Sequence, residues 1–334
     1  MTKEIKDKIR GCFLGVAIGD SLGKPVESLS AQYIAEKFGR IEKYLDCSSH
    51  KYFENDDKGT TTDDWQLTKA VAKGFITTGK FDLDEIAKEH VEEFKISVRG
   101  WGGSTRESVQ RISEGIHWSE SSRTELANRG TGNGVCMKVA PVGLYIGLIN
   151  PNLDQSLWEE HIRNIIGLSG MTHRSSIAVS SGIAQSLAIL KCFMTKPGEF
   201  HKKLFIQTVV GAAIMGNSYY PTTLKDNLKD RLEVLNKDYT TEEIIEKFGG
   251  GTCYVYDSLP FTYAFFLRNP ETIDCLFDVV NAGGDTDTNG SMVGAMLGAY
   301  HGPTIFPTHL IKELKCVDEV IDIADKFYEK FATK

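Results

Sequence analysis

The sequence predicts an all-α fold built as a single domain over residues 1–334. Three observations carry that expectation. Apolar residues recur at three- and four-residue intervals through most of the chain, the spacing that gives a helix one buried face. Strand-like alternation is short and rare, as at residues 253–256, and there is neither β-α-β alternation nor a dinucleotide-binding glycine fingerprint after a strand. Glycines also recur every fourth residue in two distant segments, Gly11-Gly15-Gly19 and Gly290-Gly294-Gly298. On helices that spacing bares one face and lets a partner backbone come close. Each helical glycine costs about 1 kcal/mol relative to alanine, so repeated ones imply a steric need.

In chain order, residues 3–19 place Ile5, Ile9, Phe13 and Val16 at helical spacing. Further helices are expected over 63–75, 84–98, 175–194, 204–215 and 313–331. Leu83-Asp84-Glu85 and Thr240-Thr241-Glu242-Glu243 have the oxygen caps and first-turn acids of helix starts. Residues 46–58 and 219–237 read as surface excursions, not as linkers between domains.

Hydrophobic residues make up 41% of the chain and charged residues 25%, the balance of a globular protein. The net charge of −7 argues against a nucleic-acid partner, though it leaves room for a local basic pocket. No run of about eighteen apolar residues is present, so no membrane span is expected. The first ten residues are polar and charged, without a signal-peptide pattern. Seven scattered cysteines with no C-x-x-C pair suit reduced thiols in the cytoplasm, most of them as small buried apolar residues.

Two oxygen-rich clusters carry the chemistry. Gly283-Gly284-Asp285-Thr286-Asp287-Thr288 sets two carboxylates and two hydroxyls behind a glycine pair, and Thr60-Thr61-Thr62-Asp63-Asp64 lies far upstream. Hard oxygen donors suit Mg²⁺, Mn²⁺ or Ca²⁺. Asp63 and Asp64 would diverge by about 100° on a helix, but at its N-terminus both can point forward to different sides of a metal pair. Plain helix capping explains the same residues. A shared site would require one domain spanning almost the whole chain.

Other candidates are individually weaker. Gly130-Thr131-Gly132-Asn133-Gly134 can aim backbone N–H groups at a phosphate with Lys138 just beyond, or can be an ordinary turn. Residues 99–105 form a similar hydroxyl-bearing loop. His173, expected to open a helix, could donate to a phosphate or a ribose hydroxyl, or serve only structure. Tyr254 offers a ring for adenine, or for the core. No Ser-His-Asp or Cys-His arrangement is evident from spacing.

In order, these pieces resemble the ADP-ribosylglycohydrolase family. The resemblance runs from Gly11 to about Gly302. It rests on the segment Gly11-Cys12-Phe13-Leu14-Gly15 through Gly19-Asp20-Ser21-Leu22-Gly23 with Pro25-Val26-Glu27, on Thr62-Asp63-Asp64, and on Gly132-Asn133-Gly134 with Met137. Thr172-His173, Tyr254 with Ser258-Leu259-Pro260, and Gly284-Asp285-Thr286-Asp287-Thr288 complete it.

The resemblance implies an orthogonal helical bundle with two divalent cations, Mg²⁺ or Mn²⁺, held by Thr62, Asp63, Asp64, Asp285, Asp287 and Thr288. It implies Asp64 or Glu27 as the general base, and substrate contacts from Gly102, Ser104, Gly132, Asn133, Gly134, Met137, His173 and Tyr254. The implied reaction releases ADP-ribose from an ADP-ribosylated protein or another ADP-ribose conjugate. Another two-metal nucleotide or phosphoester hydrolase, or a non-catalytic ADP-ribose-binding protein of this fold, is the alternative. Arginine-specific members carry an acidic residue in the loop aligned with 100–106, where this chain has no carboxylate before Glu107, so arginine is not implied as the acceptor. Trp101 is expected to shape the acceptor or distal-ribose side of the pocket, and Lys138 stands where arginine is common.

Overall fold

The helix Thr2–Gly23 and the helix Thr286–His301 lie antiparallel with their backbones in direct contact. A Cβ added at Gly11, Gly15 or Gly19 would collide with the backbone of Gly298, Gly294 or Gly290 respectively. The four-residue glycine spacing is thus a packing device, matched on both helices. Gly23 meets Thr286 in the same way, so the first helix runs one turn beyond the expected residue 19. At that end Asp20 and residues 285–288 come together.

The computed structural model describes residues 2–48, 50, 52–126, 129–220 and 227–332. Among these residues there are seventeen α-helices and no strand beyond two isolated bridges, Ser30 with Gly283 and Gly132 with Tyr254. The all-α expectation holds. The alternating segment 253–256 supplies one partner of the second bridge and then starts the helix Val255–Arg268.

Around the central pair pack Ser176–Met194, Asp63–Thr78, Val255–Arg268 and Val317–Phe331. Ser176–Met194 has 19 residues, is apolar enough to cross a membrane, and is buried along nearly its whole length. It is a core helix: Ser180, Ser181, Gln185 and Ser186 interrupt its apolar run and are themselves buried. The caps follow the sequence. Asp82 accepts from the backbone of Asp84 and Glu85 ahead of Leu83–Ile96, and Thr240 and Glu243 close a capping box on Thr241–Lys247.

Three local expectations change. The stretch 313–331 is two helices, Thr308–Glu313 and Val317–Phe331, parted at Leu314 to Cys316. Within 219–237, residues 221–226 lie outside the described residues, but Leu228–Glu233 is a packed helix with Leu228 and Leu232 buried. The segment 46–58 is no free excursion, because Phe53 is buried with Lys24 and Arg99 over its ring. Cys12, Cys47, Cys136, Cys192 and Cys275 are buried free thiols as expected, whereas Cys253 is exposed.

Candidate active site

Asp20 organises the first acidic cluster. Its carboxylate, buried at the end of the first helix, accepts the backbone N–H of Thr62 at 2.9 Å and of Trp65 at 3.0 Å. These are first-turn donors that a helix cannot satisfy internally. Asp20 therefore pins the start of Asp63–Thr78 against the glycine-packed pair, while Thr62 caps that helix from its own side chain. Asp63 and Asp64 are left to project forward.

The second cluster meets them. Thr288 Oγ1 donates to Asp64 Oδ2 at 3.1 Å, and Thr62 Oγ1 lies 3.4 Å from both Asp64 Oδ2 and Asp287 Oδ2. Oxygen atoms of Glu27, Asp285 and Asp287 all lie within 4.8 Å of one another. Segments more than 220 residues apart share one acidic centre.

Concentrating carboxylates in a buried place disfavours their ionised forms. Burial, reinforced by Asp20, pushes Asp63 up to about 8. Burial and the charges of Asp20, Asp63 and Asp285 carry Asp64 well above the usual carboxylate range, and burial with Glu27, Asp285 and Asp64 does the same to Asp287. Asp20 and Asp285 are raised less, to about 6. Burial dominates both, but backbone N–H groups offset it at Asp20 and the Asn133 amide offsets it at Asp285.

One atom makes the shortfall plain. Asp64 Oδ1 is buried and has no hydrogen-bond partner among the described residues. An unpaired buried carboxylate oxygen is costly unless a proton or a cation meets it. The donors here are carboxylates and hydroxyls, with no imidazole or thiolate among them, which fits hard divalent cations.

The acids form the floor of a pocket of about 680 Å³. Glu27, Asp63, Asp64, Asp285, Asp287 and Thr288 all line it, and so do Gly102, Ser104, Gly132, Asn133, Gly134, Met137, His173 and Tyr254. Every catalytic, metal-ligating and substrate-contacting residue that the resemblance implies thus lines this pocket or, as with Thr62, bonds to its floor. The loop 130–134 is held by the bridge to Tyr254. At Gly134 an added Cβ would lie 2.7 Å from His173 Cε1, so any larger residue there would have to displace the imidazole.

Several details differ from the sequence reading. Asn133 turns to the acids: its Nδ2 donates to Asp285 Oδ2 at 2.5 Å, and its backbone N–H is taken by the Cys253 carbonyl. His173 closes the helix Trp158–Thr172 and does not open the next, which Ser175 caps. Trp101 does not line the pocket. It packs with Leu67, Val109 and Met137 in a second apolar cluster and donates to Gln66, because the indole gains more from burial than the open rim offers.

Residues that spacing could not reveal also contribute. His50 Nε2 lies 3.1 Å from Glu27 Oε2, while its Nδ1 receives the Tyr52 backbone N–H. Arg129 lines the pocket and is tied to Glu107 at 2.6 Å. Lys24, fully buried, joins Asp56 to Thr60 beside the first cluster. Only their positions in three dimensions mark them.

Fold and pocket together define a class: an all-α protein whose buried oxygen donors face a glycine-rich loop across one cavity. The family model described as ADP-ribosylglycohydrolase matches residues 1–334, and the chain belongs to that family of ADP-ribosyl hydrolases. It is similar to ADP-ribosylhydrolase ARH3 of Mus musculus, 24% identical over 97% of this chain and 92% of that protein. It is also similar to ADP-ribosyl-(dinitrogen reductase) glycohydrolase of Rhodospirillum rubrum, 23% identical over 93% of this chain and 91% of that one. A solved structure of an ADP-ribosylglycohydrolase-related protein complex shares the fold, with a TM-score of 0.73 at 21% identity, covering 98% of this chain and 99% of the other.

Proposed function

We propose that this protein hydrolyses the glycosidic bond at the anomeric carbon of ADP-ribose in an ADP-ribosylated protein or small conjugate, releasing ADP-ribose. The observation that carries this reading is the convergence of the Thr62-Asp63-Asp64 and Asp285-Thr286-Asp287-Thr288 segments on the floor of the pocket that the 132–134 loop lines.

In this reading Thr62, Asp63, Asp64, Asp285, Asp287 and Thr288 hold two divalent cations, Mg²⁺ or Mn²⁺. When bound, such ions orient hydroxyl oxygens and lower the pKa of water. The chain's own residues do the rest. Asp20 fixes the direction of Asp63 and Asp64, and the Asn133 amide fixes Asp285. Asp64 or Glu27 takes the proton of the attacking water. The remaining carboxylates stabilise the positive charge that an oxocarbenium-like transition state develops at the ribose. His173 and the 132–134 loop receive polar oxygens of the substrate, and Tyr254 offers a ring face for adenine.

The test is a panel of defined ADP-ribosyl conjugates, linked through nitrogen, oxygen and acyl groups, incubated with Mg²⁺, Mn²⁺ or EDTA and resolved by mass. Intact ADP-ribose, formed with metal and suppressed by EDTA, is the expected product. AMP or free phosphate would indicate a different two-metal hydrolase, and ADP-ribose binding without turnover of any conjugate a binding protein.

A further inference from the structure

Behind the pocket wall lie two buried polar residues, Lys138 and Thr172, that the proposed reaction does not use but that connect to His173. Lys138 is fully buried on the turn Cys136–Lys138, and its Nζ donates to Thr172 Oγ1 at 3.0 Å. The same Oγ1 lies 2.9 Å from His173 Nδ1. Thr172 and His173 are both nearly inaccessible, at 1% and 4% exposure. The other edge of the imidazole faces the cavity, where its Nε2 lies 3.1 Å from the position a Cβ on Gly134 would take.

The direction of these bonds follows from donor chemistry. An ammonium can only donate, and a hydroxyl owns one hydrogen. While Lys138 is protonated and Thr172 Oγ1 accepts its N–H, the hydroxyl's own hydrogen needs an acceptor. Among the described residues His173 Nδ1 is the one it has. A hydrogen on Nδ1 would instead leave the buried hydroxyl hydrogen unpaired, at the cost of an unmade bond. Burial, with the nearby Lys138 charge, holds His173 down to about 3, so the ring is neutral at ordinary pH and carries a single hydrogen. Burial also lowers Lys138, to about 7, against the opposing charge of Asp63.

We infer that Lys138 and Thr172 are positioning residues that hold His173 as the Nε2–H tautomer, so that it presents a hydrogen-bond donor to an acceptor oxygen of the ligand beside the 132–134 loop. The identity of that ligand rests on the ADP-ribosyl reading, whereas the tautomer does not. A neutral imidazole of the other tautomer would offer a lone pair and repel a phosphate or carbonyl oxygen.

Imidazole ¹⁵N NMR at pH 6 on the full chain tests the tautomer directly, with His173 assigned by its absence in His173→Gln. The wild type should show one form, protonated at Nε2. Lys138→Met and Thr172→Val are both near-isosteric and should lose that single form, whereas Thr172→Ser should keep it. With an ADP-ribosyl conjugate that proves to be a substrate, or otherwise with ADP-ribose as a binding probe, Lys138→Met and Thr172→Val should raise KM or Kd about tenfold, with kcat little changed. His173 protonated at Nδ1 in the wild type, or an unchanged tautomer in both variants, overturns the inference. Should Lys138→Met fail to fold, Thr172→Val alone decides. Absence of hydrolysis combined with the expected tautomers would overturn the functional reading and leave this one standing.

Discussion

Thr288 Oγ1 donates to Asp64 Oδ2 at 3.1 Å, joining two helix starts that lie 224 residues apart in the chain. The bond makes the acidic floor a single centre. Removing the hydroxyl in Thr288→Val should cut kcat by about tenfold or more and weaken Mn²⁺ binding, because Asp64 loses a partner as well as a neighbouring oxygen donor. Thr288→Ser should recover most of both. Steady-state kinetics and Mn²⁺ titration of the two variants check this, and equal loss in Val and Ser would argue against the hydroxyl's role.

Asp20 acts at one remove. Asp20→Ala leaves the N–H groups of Thr62 and Trp65 buried without acceptors, at about 1–3 kcal/mol each. Loss of a buried charge offsets part of that. Urea unfolding should show a net loss of roughly 1–4 kcal/mol, accompanied by weaker Mn²⁺ binding. A variant with wild-type stability and metal affinity would show that Asp20 does not set the helix start.

The carboxylates make metal-free stability fall with rising pH. Asp63 sits at about 8, and Asp20 and Asp285 at about 6, all above the roughly 3.9 of an unfolded aspartate. The folded protein therefore keeps protons that the unfolded chain has released. Their stabilisation is complete below about pH 4 and is lost as pH rises through about 6 to 8. Thermal melts in EDTA should decline across that window. Added Mg²⁺ or Mn²⁺ should restore stability, by about 2.7 kcal/mol for one bound ion at a hundredfold excess over its Kd, and at a fixed metal concentration more at pH 8 than at pH 5, since protons compete for the ligands. A flat profile in EDTA would contradict the raised values.

The glycine pairing gives a contrast within one residue type. Gly294→Ala puts a methyl group against the Gly15 backbone, which cannot move aside, and should destabilise by at least about 1–3 kcal/mol. Gly211 lies in the helix Lys202–Gly216 with nothing within 4 Å of an added Cβ, so Gly211→Ala should stabilise by about 0.5–1 kcal/mol. Denaturant midpoints of the two variants check both signs.

Much of this architecture was legible because it is local. Helical periodicity, the caps at Asp82 and Thr240 and the glycine spacing all act within a few residues. The pocket's main residues were legible only as an ordered set of motifs, since nothing in the spacing of Asp63 and Asp285 says that they meet. What stayed hidden depends on tertiary direction. His173 reads in the sequence as opening a helix, yet it closes the preceding one and Ser175 caps the next. The side chain of Asn133 turns to Asp285 and Trp101 turns into a second core, and neither orientation has a signature in sequence. His50 reaches Glu27 from a loop 23 residues away, a contact no motif announces.

The central claim is that the two acidic segments form one cation centre that serves hydrolysis of an ADP-ribosyl bond. The most direct measurement is Mn²⁺ binding per chain by calorimetry, run beside ADP-ribose release, for the wild type and a folded Asp287→Ala variant. The expected result is two Mn²⁺ in the wild type, with loss of metal binding and of turnover together in the variant. Undiminished turnover by Asp287→Ala, or turnover by the wild type that EDTA leaves intact, would contradict the claim.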